Sequence, residues 1–395
     1  MQRQALCHAL LPQLERLPAP FAAHYGVVPL PPPEGLIPLG PAAGRHQRAT
    51  EALARVTVLA REFADPYVVS RLLSRREAIS SSSIEGTNST LDELLSVEEE
   101  VADQARDAAH QVRDYAVTLE RWIPLASAEG PALFTPELVA DLHRHAMRSD
   151  PDYQDVPGAL RTRVVWIGGL RDIAYSTYNP TPPDRIEASL ADTTRYMRGD
   201  DILMPEQSLI TRMAVAHAHF EAVHPFRDGN GRVGRLLLPL MMAADGEVPL
   251  YLSPYIEANK AAYYASLRAA QQQLDWPTAI GFMADAITGT VDELMVTRAA
   301  LRDLATAWRA RRRFRQSSAA LDALEVLPSY PVLSAKRLAG RLDVSAPAAL
   351  SAIGQLVEAG ILQERTGYRR NRVFVAPEVL AILNRPFGEA PILAG

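Results

Sequence analysis

A polar stretch at residues 224–235, HPFRDGNGRVGR, separates two apolar segments of helical spacing, so a helix, a tight loop and a second helix are expected there. Pro225 opposes continuation of the first helix, because a proline disfavours the helical conformation of the residue before it. Gly229 and Gly231 allow the positive φ angles of a tight loop. Apolar residues recur at helical spacing over much of the chain, which therefore predicts a mostly α fold.

The same stretch carries residue types that handle phosphates. Backbone N–H groups at the start of the second helix would form an anion site. Arg232 and Arg235 share a helix face and can grip neighbouring phosphates. Asp228 offers a hard oxygen ligand for Mg²⁺, and His224 can accept a proton from a hydroxyl near neutral pH. The alternative, a Gly–Asn turn between core helices with surface arginines, explains each residue singly but not the whole string.

The string resembles the signature of Fic-domain proteins, His-x-Phe-x-Asp/Glu-Gly-Asn-Gly-Arg-x-x-Arg, at every defined position. Further similarity at residues 157–169 and 255–264 extends the resemblance over about residues 30–300. It implies a Fic-type helical core with a small β-hairpin flap. It also implies protein adenylylation (AMPylation), in which AMP passes from ATP to a Ser, Thr or Tyr hydroxyl of a target protein and pyrophosphate is released.

The resemblance assigns roles by position. His224 would deprotonate the target hydroxyl, and Asp228 would hold Mg²⁺ on the α- and β-phosphates. Arg232 would bind near the β-phosphate and Arg235 near the γ-phosphate, while Phe226 would anchor the loop from inside. The implied nucleotide-binding set is Gly229, Asn230, Gly231, Arg232, Val233, Gly234, Arg235, Asn259 and Tyr263. The flap at Val165, Trp166 and Ile167 would align the target by strand addition, which needs little side-chain specificity.

A second string, SSSIEG at residues 81–86, resembles the inhibitory motif Ser/Thr-x-x-x-Glu-Gly/Asn of the same family. Residues 80–83 are all serine, and serine is a poor helix former, so something beyond propensity must hold this segment. Taken alone, Glu85 would be read as an exposed glutamate at a fraying helix end. If it reaches Arg235, a carboxylate–guanidinium pair occupies the group needed for the γ-phosphate. The resemblance thus implies self-inhibition by Glu85, or use of Glu85 to orient a water that removes AMP.

The C-terminal region has the element order of a winged helix, with helices at 321–327, 334–341 and 345–359 and short β segments at 361–363 and 373–375. The candidate recognition helix, 345–359, contains no Lys or Arg, and Gln355 is its one candidate for reading base edges. The wing is basic, with Arg365, Arg369, Arg370 and Arg372. A packing or protein-recognition domain is therefore favoured, and DNA binding stays possible.

Changes in composition and in hydrophobic periodicity divide the chain into regions. The predicted regions are an extended Pro-rich arm (1–45), an N-terminal helical region with the inhibitory motif (46–120), the catalytic core (121–300), a basic helical linker (301–318) and a winged-helix domain (319–395). Helices are predicted within these regions at 185–197, 207–223, 233–244, 256–273 and 279–313, with a capping box at Thr90 and Glu93. A hairpin is predicted from β-rich residues 163–167 and 173–178 around the Gly168–Gly169 turn.

Composition excludes several classes of protein. One cysteine, Cys7, rules out a disulfide framework and a cysteine zinc site. The net charge of −5 argues against a protein that coats nucleic acid or an anionic membrane. The apolar run at 236–244 is too short to span a bilayer, and residues 1–18 lack the apolar core of a signal peptide, so no membrane partner and a cytoplasmic location are expected.

Two further functions stay open at this stage. One is a de-AMPylase that uses the same site. The other is a winged-helix DNA-binding regulator whose Fic domain only senses nucleotide. The expected partners are ATP, with Mg²⁺ as cofactor, and a target protein along the flap, with a homodimer possible.

Overall fold

The computed structural model describes residues 1–61, 71–99, 107–169, 171–200, 207–366 and 372–392. Its α-helices in chain order are α1 (Ala43–Arg61), α2 (Arg71–Ile84), α3 (Leu91–Glu98), α4 (Asp107–Glu129), α5 (Pro136–Ala146), α6 (Ile186–Arg198), α7 (Leu209–Val223), α8 (Asn230–Ala244), α9 (Ser253–Ala258), α10 (Lys260–Gln273), α11 (Trp276–Arg311), α12 (Ala319–Val326), α13 (Ala335–Leu342), α14 (Ala346–Glu358) and α15 (Pro377–Asn384). The strands are β1 (Leu14–Arg16), β2 (Tyr25–Val27), β3 (Val332–Ser334), β4 (Gln363–Glu364) and β5 (Val373–Val375). The fold is mostly helical, as the sequence predicts.

The helix pair α7–α8 lies at the centre of the core. Residues of α7 from Ile210 to Val223 are all buried, and α8 is buried from Arg232 to Ala243. A helix that is apolar on every side must be covered on every side. Helices α4 and α5 cover α8, while α6, α10 and α11 cover α7. The loop between α7 and α8 is thereby held between two elements that are packed on all sides.

Side-chain caps set where several helices begin. Thr90 and Glu93 form the predicted capping box at the start of α3. Ser208 accepts a hydrogen bond from the Thr211 N–H at the start of α7, and Asp275 accepts one from the Thr278 N–H at the start of α11. Each such cap contributes roughly 1 kcal/mol. In the described residues, no helix combines the length and apolar character needed to cross a membrane.

The helix predicted at 256–273 is two helices, α9 and α10. They meet at Asn259, whose φ of −120° and ψ of 33° are not helical. The Asn259 amide donates to the Tyr255 carbonyl at 2.9 Å. Asparagine side chains compete in this way with the backbone ladder, which is why the helix breaks there.

The flap hairpin is present, but it is shorter than the sequence predicts. Among the described residues of the flap, one antiparallel bridge joins Ile167 to Tyr178, and Ile173–Tyr175 form a 3₁₀ turn instead of a strand. The Asp172 carboxylate accepts a hydrogen bond from the Ala174 N–H at 2.9 Å. This local hydrogen bond favours a turn, whereas the predicted strand would need an extended backbone at these residues.

The first 45 residues are not simply an extended arm, because part of this segment folds back on the core. Strands β1 and β2 pair antiparallel, with Glu15 opposite Gly26. Leu10 and Val27 are buried in a small cluster with Tyr178, beside the flap. A Cβ at Gly26 would meet the Pro180 carbonyl at 2.7 Å, which is why glycine stands there. This N-terminal segment therefore packs against Tyr178 beside the flap.

The C-terminal region contains the predicted helices and β segments, together with one strand, β3, that the sequence did not predict. A three-stranded antiparallel sheet in the order β3–β5–β4 joins α12, α13 and α14, with Leu333 opposite Phe374. The sequence did not predict α15. Residues 301–311 of the predicted linker form the end of α11, where Trp308 is buried and donates to Glu378 at 2.8 Å. The predicted wing residues Arg369 and Arg370 lie outside the described residues.

Candidate active site

His224 ends α7 in the left-handed conformation, with φ of 51°. Buried Arg161 lies behind it and donates to backbone carbonyls, at 2.7 Å to His224, 2.6 Å to Thr181 and 3.3 Å to Val223. The Arg161 N–H also donates to the Pro225 carbonyl at 2.9 Å. Burial lowers the pKa of Arg161 to about 10. Arg161 thus holds the unusual backbone turn that presents the imidazole.

The loop that follows is held from inside. The Asn230 side chain accepts from the Phe226 N–H and donates to the Phe226 carbonyl, each at 2.8 Å. The Phe226 ring is fully buried and stacks on His143, with ring centroids 3.8 Å apart. Phe226 therefore lies where the sequence predicts. The Asn230 amide, predicted to cradle phosphates, instead bonds to the loop's own backbone.

His143 organises the same loop through both ring nitrogens. Its Nδ1 accepts from the Gly158 N–H at 2.8 Å, so Nε2 carries the proton and donates to the Asp228 carbonyl at 3.0 Å. Burial lowers the pKa of His143 to about 4, which keeps the ring neutral near pH 7. Gly229, with φ of 78°, lies against this ring. The sequence analysis did not single out His143 for this role.

Glu85 and Arg235 meet across the start of α8. Glu85 Oε1 lies 2.7 Å from the Arg235 guanidinium, which is only 1% exposed. A Cβ at Gly231 would collide with the Glu85 carboxylate, so this carboxylate lies against the first turn of the helix. Helix N-termini attract anions. Glu85 therefore lies where the resemblance implies that phosphates bind.

The serine run explains how α2 brings Glu85 to this position. Ser80, Ser81 and Ser82 are buried. Ser81 accepts from Arg235 Nε at 2.9 Å through its hydroxyl and from the same guanidinium at 3.0 Å through its carbonyl. Ser81 and Glu85 are one helical turn apart and hold the same guanidinium. The predicted need for something beyond propensity is met by these tertiary hydrogen bonds.

The electrostatics of Arg235 favour its charged form. Burial opposes that charge, but the neighbouring Glu85 carboxylate more than offsets it and raises the Arg235 pKa above its ordinary value.

Nearby Glu77 is fully buried, and burial raises its pKa. The Glu77 carboxylate accepts from the Ser253 N–H at 2.8 Å and from the Tyr115 hydroxyl at 3.1 Å.

The predicted nucleotide-binding residues Arg232, Val233 and Gly234 lie in different surroundings. Arg232 is buried, and its Nη2 pairs with Asp150 at 3.2 Å, while its Nε and Nη1 have no hydrogen-bond partner among the described residues. Val233 is fully buried in the core. Gly234 faces α7, where a Cβ would lie 2.6 Å from Glu221 Oε1.

A cavity of about 500 Å³ opens beside His224. Glu85, Gly231, Arg235 and Tyr263 also line it. Tyr263 donates or accepts a hydrogen bond with His217 at 2.8 Å and is buried. Trp166 and Ile167 of the flap lie along its edge, whereas Asn259 and Val165 are not among its lining residues. The structure therefore gathers His224, Glu85 and Arg235, one of the predicted phosphate arginines, around one space.

Glu221 lines the same cavity, and the sequence analysis missed it. It lies three residues before His224 on a helix that is otherwise mostly apolar, and its side chain is 8% exposed. That spacing is the signal that could have identified it, since residues three apart share a helix face.

Asp228 is the residue predicted to hold Mg²⁺. Within the described ranges, no three or more His, Cys, Asp or Glu side chains are grouped to hold a metal ion. Asp228 is exposed, and one of its carboxylate oxygens accepts from the Gly229 N–H at 2.6 Å. Mg²⁺ is commonly held by one or two carboxylates together with substrate phosphates, so a lone carboxylate fits this ion.

Comparison with known protein families finds matches to two stretches of the chain. Residues 133–242 match the Fic/DOC family model, and residues 44–121 match the Fic/DOC family N-terminal model. Protein adenylyltransferase fic-1 of Caenorhabditis elegans is 34% identical over 133 residues, which are 33% of this chain and 23% of that protein. The probable protein adenylyltransferase aq_aa38 of Aquifex aeolicus is 27% identical over 95 residues, which are 24% of this chain and 27% of that protein. The matched part is thus about a quarter of the length of these curated relatives.

Two solved structures share the fold. A Fic family protein from Desulfovibrio desulfuricans G20 superposes with a TM-score of 0.52 at 21% identity, covering 87% of this chain and 98% of that chain. A Fic domain containing signaling protein from Bacteroides thetaiotaomicron gives 0.51 at 17% identity, covering 65% of this chain and 98% of that chain. At these identities the likeness establishes the fold.

Proposed function

Because the chain carries a Fic/DOC domain at residues 133–242 and that family's N-terminal region at residues 44–121, we propose that it is a protein adenylyltransferase. The substrate is ATP, and AMP is transferred to a Ser, Thr or Tyr hydroxyl of a target protein. The observation that carries the proposal is the placement of His224 and Arg235 around one cavity at the start of α8.

The reaction follows from the groups at that cavity. The His224 imidazole accepts the proton of the target hydroxyl, whose oxygen attacks the α-phosphorus of ATP. The bond from that phosphorus to the bridging oxygen of the β-phosphate breaks, and pyrophosphate leaves. Backbone N–H groups at the start of α8 and the Arg235 guanidinium hold the phosphate charge. Mg²⁺, when bound at Asp228, supplies further neutralisation of phosphate charge.

The target segment would lie along the flap. Trp166 and Ile167 line the cavity together with His224. An extended target backbone placed there by strand addition would bring its hydroxyl toward the imidazole. Such binding reads backbone more than side chains, so the target is selected mainly by contacts elsewhere.

Self-inhibition by Glu85 is the second part of the proposal. The Glu85 carboxylate lies against the helix start and pairs with Arg235, the group assigned to the γ-phosphate. A γ-phosphate and this carboxylate compete for one guanidinium and repel each other. ATP therefore binds with its phosphates misplaced for in-line attack until Glu85 moves away.

Labelling with ATP that carries a labelled α-phosphate tests both parts. Glu85→Gly is expected to raise self- or target labelling by about tenfold or more, the usual scale of coupling between competing sites. Asn88→Gly, a matched exposed position three residues after Glu85, should leave labelling at the wild-type level. The double variant Glu85→Gly with His224→Ala should lose the label. Equal labelling of wild type and Glu85→Gly would remove the inhibitory role of Glu85.

De-AMPylation is a second candidate, because Glu85 and His224 line the same cavity. Glu85 would orient a water for attack on the phosphorus of an AMP-modified residue. Wild-type protein added to AMP-modified Glu85→Gly protein should then release AMP, as measured by mass spectrometry. The homodimer and the cytoplasmic location remain predictions from the sequence.

A further inference from the structure

Glu221 and His224 lie close together inside the protein, and each has a buried polar atom without a hydrogen-bond partner among the described residues. Glu221 Oε2 lies 3.6 Å from His224 Nδ1, and the two side chains are 8% and 21% exposed. In the part of the chain that the structure describes, Glu221 Oε1 and His224 Nδ1 are both buried without a hydrogen-bond partner. Unpaired buried polar atoms destabilise a fold, so their presence on facing side chains calls for a role.

The glycine at position 234 leaves space for this carboxylate. Gly234 of α8 faces it, and a Cβ there would lie 2.6 Å from Glu221 Oε1. Burial by itself would raise the Glu221 pKa, but His224, His217 and Arg235 hold it below its ordinary value. Glu221 is therefore an ionised carboxylate one helical turn before the general base.

We propose that Glu221 is the positioning residue of His224, an inference that rests on the proposed adenylylation at the same site. Glu221 Oε2 accepts the Nδ1–H of the neutral imidazole, which leaves the Nε2 lone pair free to take the hydroxyl proton. After that transfer the ring carries a proton on each nitrogen, and the carboxylate stabilises its positive charge. A distance of 3.6 Å is longer than a hydrogen bond, and such contacts commonly tighten when substrate binds.

The tautomer of His224 gives a test that does not depend on activity. In protein labelled with ¹⁵N-histidine, the His224 signals are assigned by their loss in His224→Ala. At a pH where the ring is neutral, we expect the proton on Nδ1 in the wild type. In Glu221→Gln the amide can turn an N–H toward Nδ1, so the proton should move to Nε2.

Glu293→Gln is the matched control for this test. Glu293 is also buried, at 8% side-chain exposure, and it pairs with Arg385 away from the cavity. This variant should leave the His224 signals unchanged. The same Nδ1–H tautomer in wild type and Glu221→Gln would overturn the proposal, as would an Nε2–H tautomer in the wild type.

Kinetics in the Glu85→Gly background separate positioning from a structural role. Glu221→Gln is expected to lower kcat by about 100-fold, with KM for ATP changed by less than about twofold. An unchanged kcat, or a loss expressed only in KM, would contradict the proposal. Thermal unfolding of each variant checks that the fold is intact. If Glu85→Gly itself transfers no AMP, the proposed function fails, and the tautomer measurement still decides the role of Glu221.

Discussion

Arg161 donates to the backbone around His224, and His143 and Asn230 bond to the backbone of the next loop. At the scale of single residues, these polar side chains act on main-chain groups instead of on a ligand. A buried carbonyl left without a donor costs about 1–3 kcal/mol, so each of these bonds stabilises one loop conformation. The shape of the site thus depends on residues that do not line the cavity.

His143 predicts a measurable pH dependence of stability. Its pKa is lowered to about 4 in the folded protein, whereas an unfolded histidine takes up its proton near its ordinary value of 6.5. Between these values the unfolded state binds more protons, so the free energy of unfolding falls as pH decreases from 6.5 to 4. The full effect of one such histidine is roughly 3 kcal/mol.

His143→Gln should therefore reduce this dependence. Urea unfolding measured at intervals between pH 7 and pH 4.5 gives the slope of the free energy of unfolding against pH. The variant's slope should be shallower by up to about 1.4 kcal/mol per pH unit, whatever its absolute stability. Parallel curves for the variant and the wild type would show that His143 is not buried as a neutral ring.

Helices α7 and α8 approach each other closely because α8 has a glycine at their contact. A Cβ at Gly234 would meet Glu221 Oε1 at 2.6 Å and the His217 ring at 3.1 Å. At the scale of elements, this close approach places the carboxylate of one helix beside the loop of the other. The sequence predicts both helices, but the contact between them depends on how their apolar faces pack.

Two glycine substitutions distinguish packing from helix propensity. Gly234→Ala should lower the free energy of unfolding by about 1–3 kcal/mol, because the added methyl group collides with α7. Gly354→Ala, in α14, should raise it by about 0.5–1 kcal/mol, because nothing lies within 4 Å of the new methyl group and alanine is the better helix former. Chemical denaturation of both variants measures the difference, and a shift in the same direction for both would contradict it.

At the scale of the whole molecule, the C-terminal region packs against α3, the helix that follows the segment containing Glu85. Glu99, just after α3, accepts from Arg337 Nε at 2.6 Å and from the Ser334 hydroxyl at 2.9 Å. Arg365 lies 2.8 Å from Asp92 at the start of α3. Helix α3, which follows the segment that contains Glu85, is thus held against the C-terminal region.

Arg337→Ala should weaken this contact. The Glu99 carboxylate is only 3% exposed and would lose its cationic partner, which should lower the free energy of unfolding by about 2–3 kcal/mol. Hydrogen exchange should also become faster in α3. Lys336→Ala, an exposed change in the same helix, is the control and should stay within about 0.5 kcal/mol of the wild type. Equal protection of α3 in all three proteins would show that the contact does not hold this segment.

The candidate recognition helix offers little to DNA. It presents Leu350 and Val357 to solvent, at 50% and 39% exposure, and Glu358 pairs with Arg312 at 2.6 Å. Exposed aliphatic side chains do not supply donors for base edges. This arrangement is in keeping with the preference for a packing or protein-recognition domain, which stays a prediction.

The sequence by itself determined the parts of this protein that depend on neighbours along the chain. Helix starts at Thr90 and Ser345 and the left-handed Gly229 of the loop at 224–229 follow from caps and allowed backbone angles, which act within a few residues. Gly231, predicted to lie in the same loop, is instead in the first turn of α8 and has no positive φ. The broken helix at Asn259 and the short flap hairpin were missed, because local side-chain bonds outweighed the average periodicity there.

Only the tertiary structure decided which polar side chains meet. Glu85 and Arg235 are 150 residues apart in sequence, yet they form one pair because α2 packs beside α8. Glu221 is close to His224 in sequence, but whether its carboxylate lies in the core or in solvent depends on Gly234 of the facing helix. Such contacts are set by the packing of apolar faces, and the spacing of residues along one helix does not contain that information.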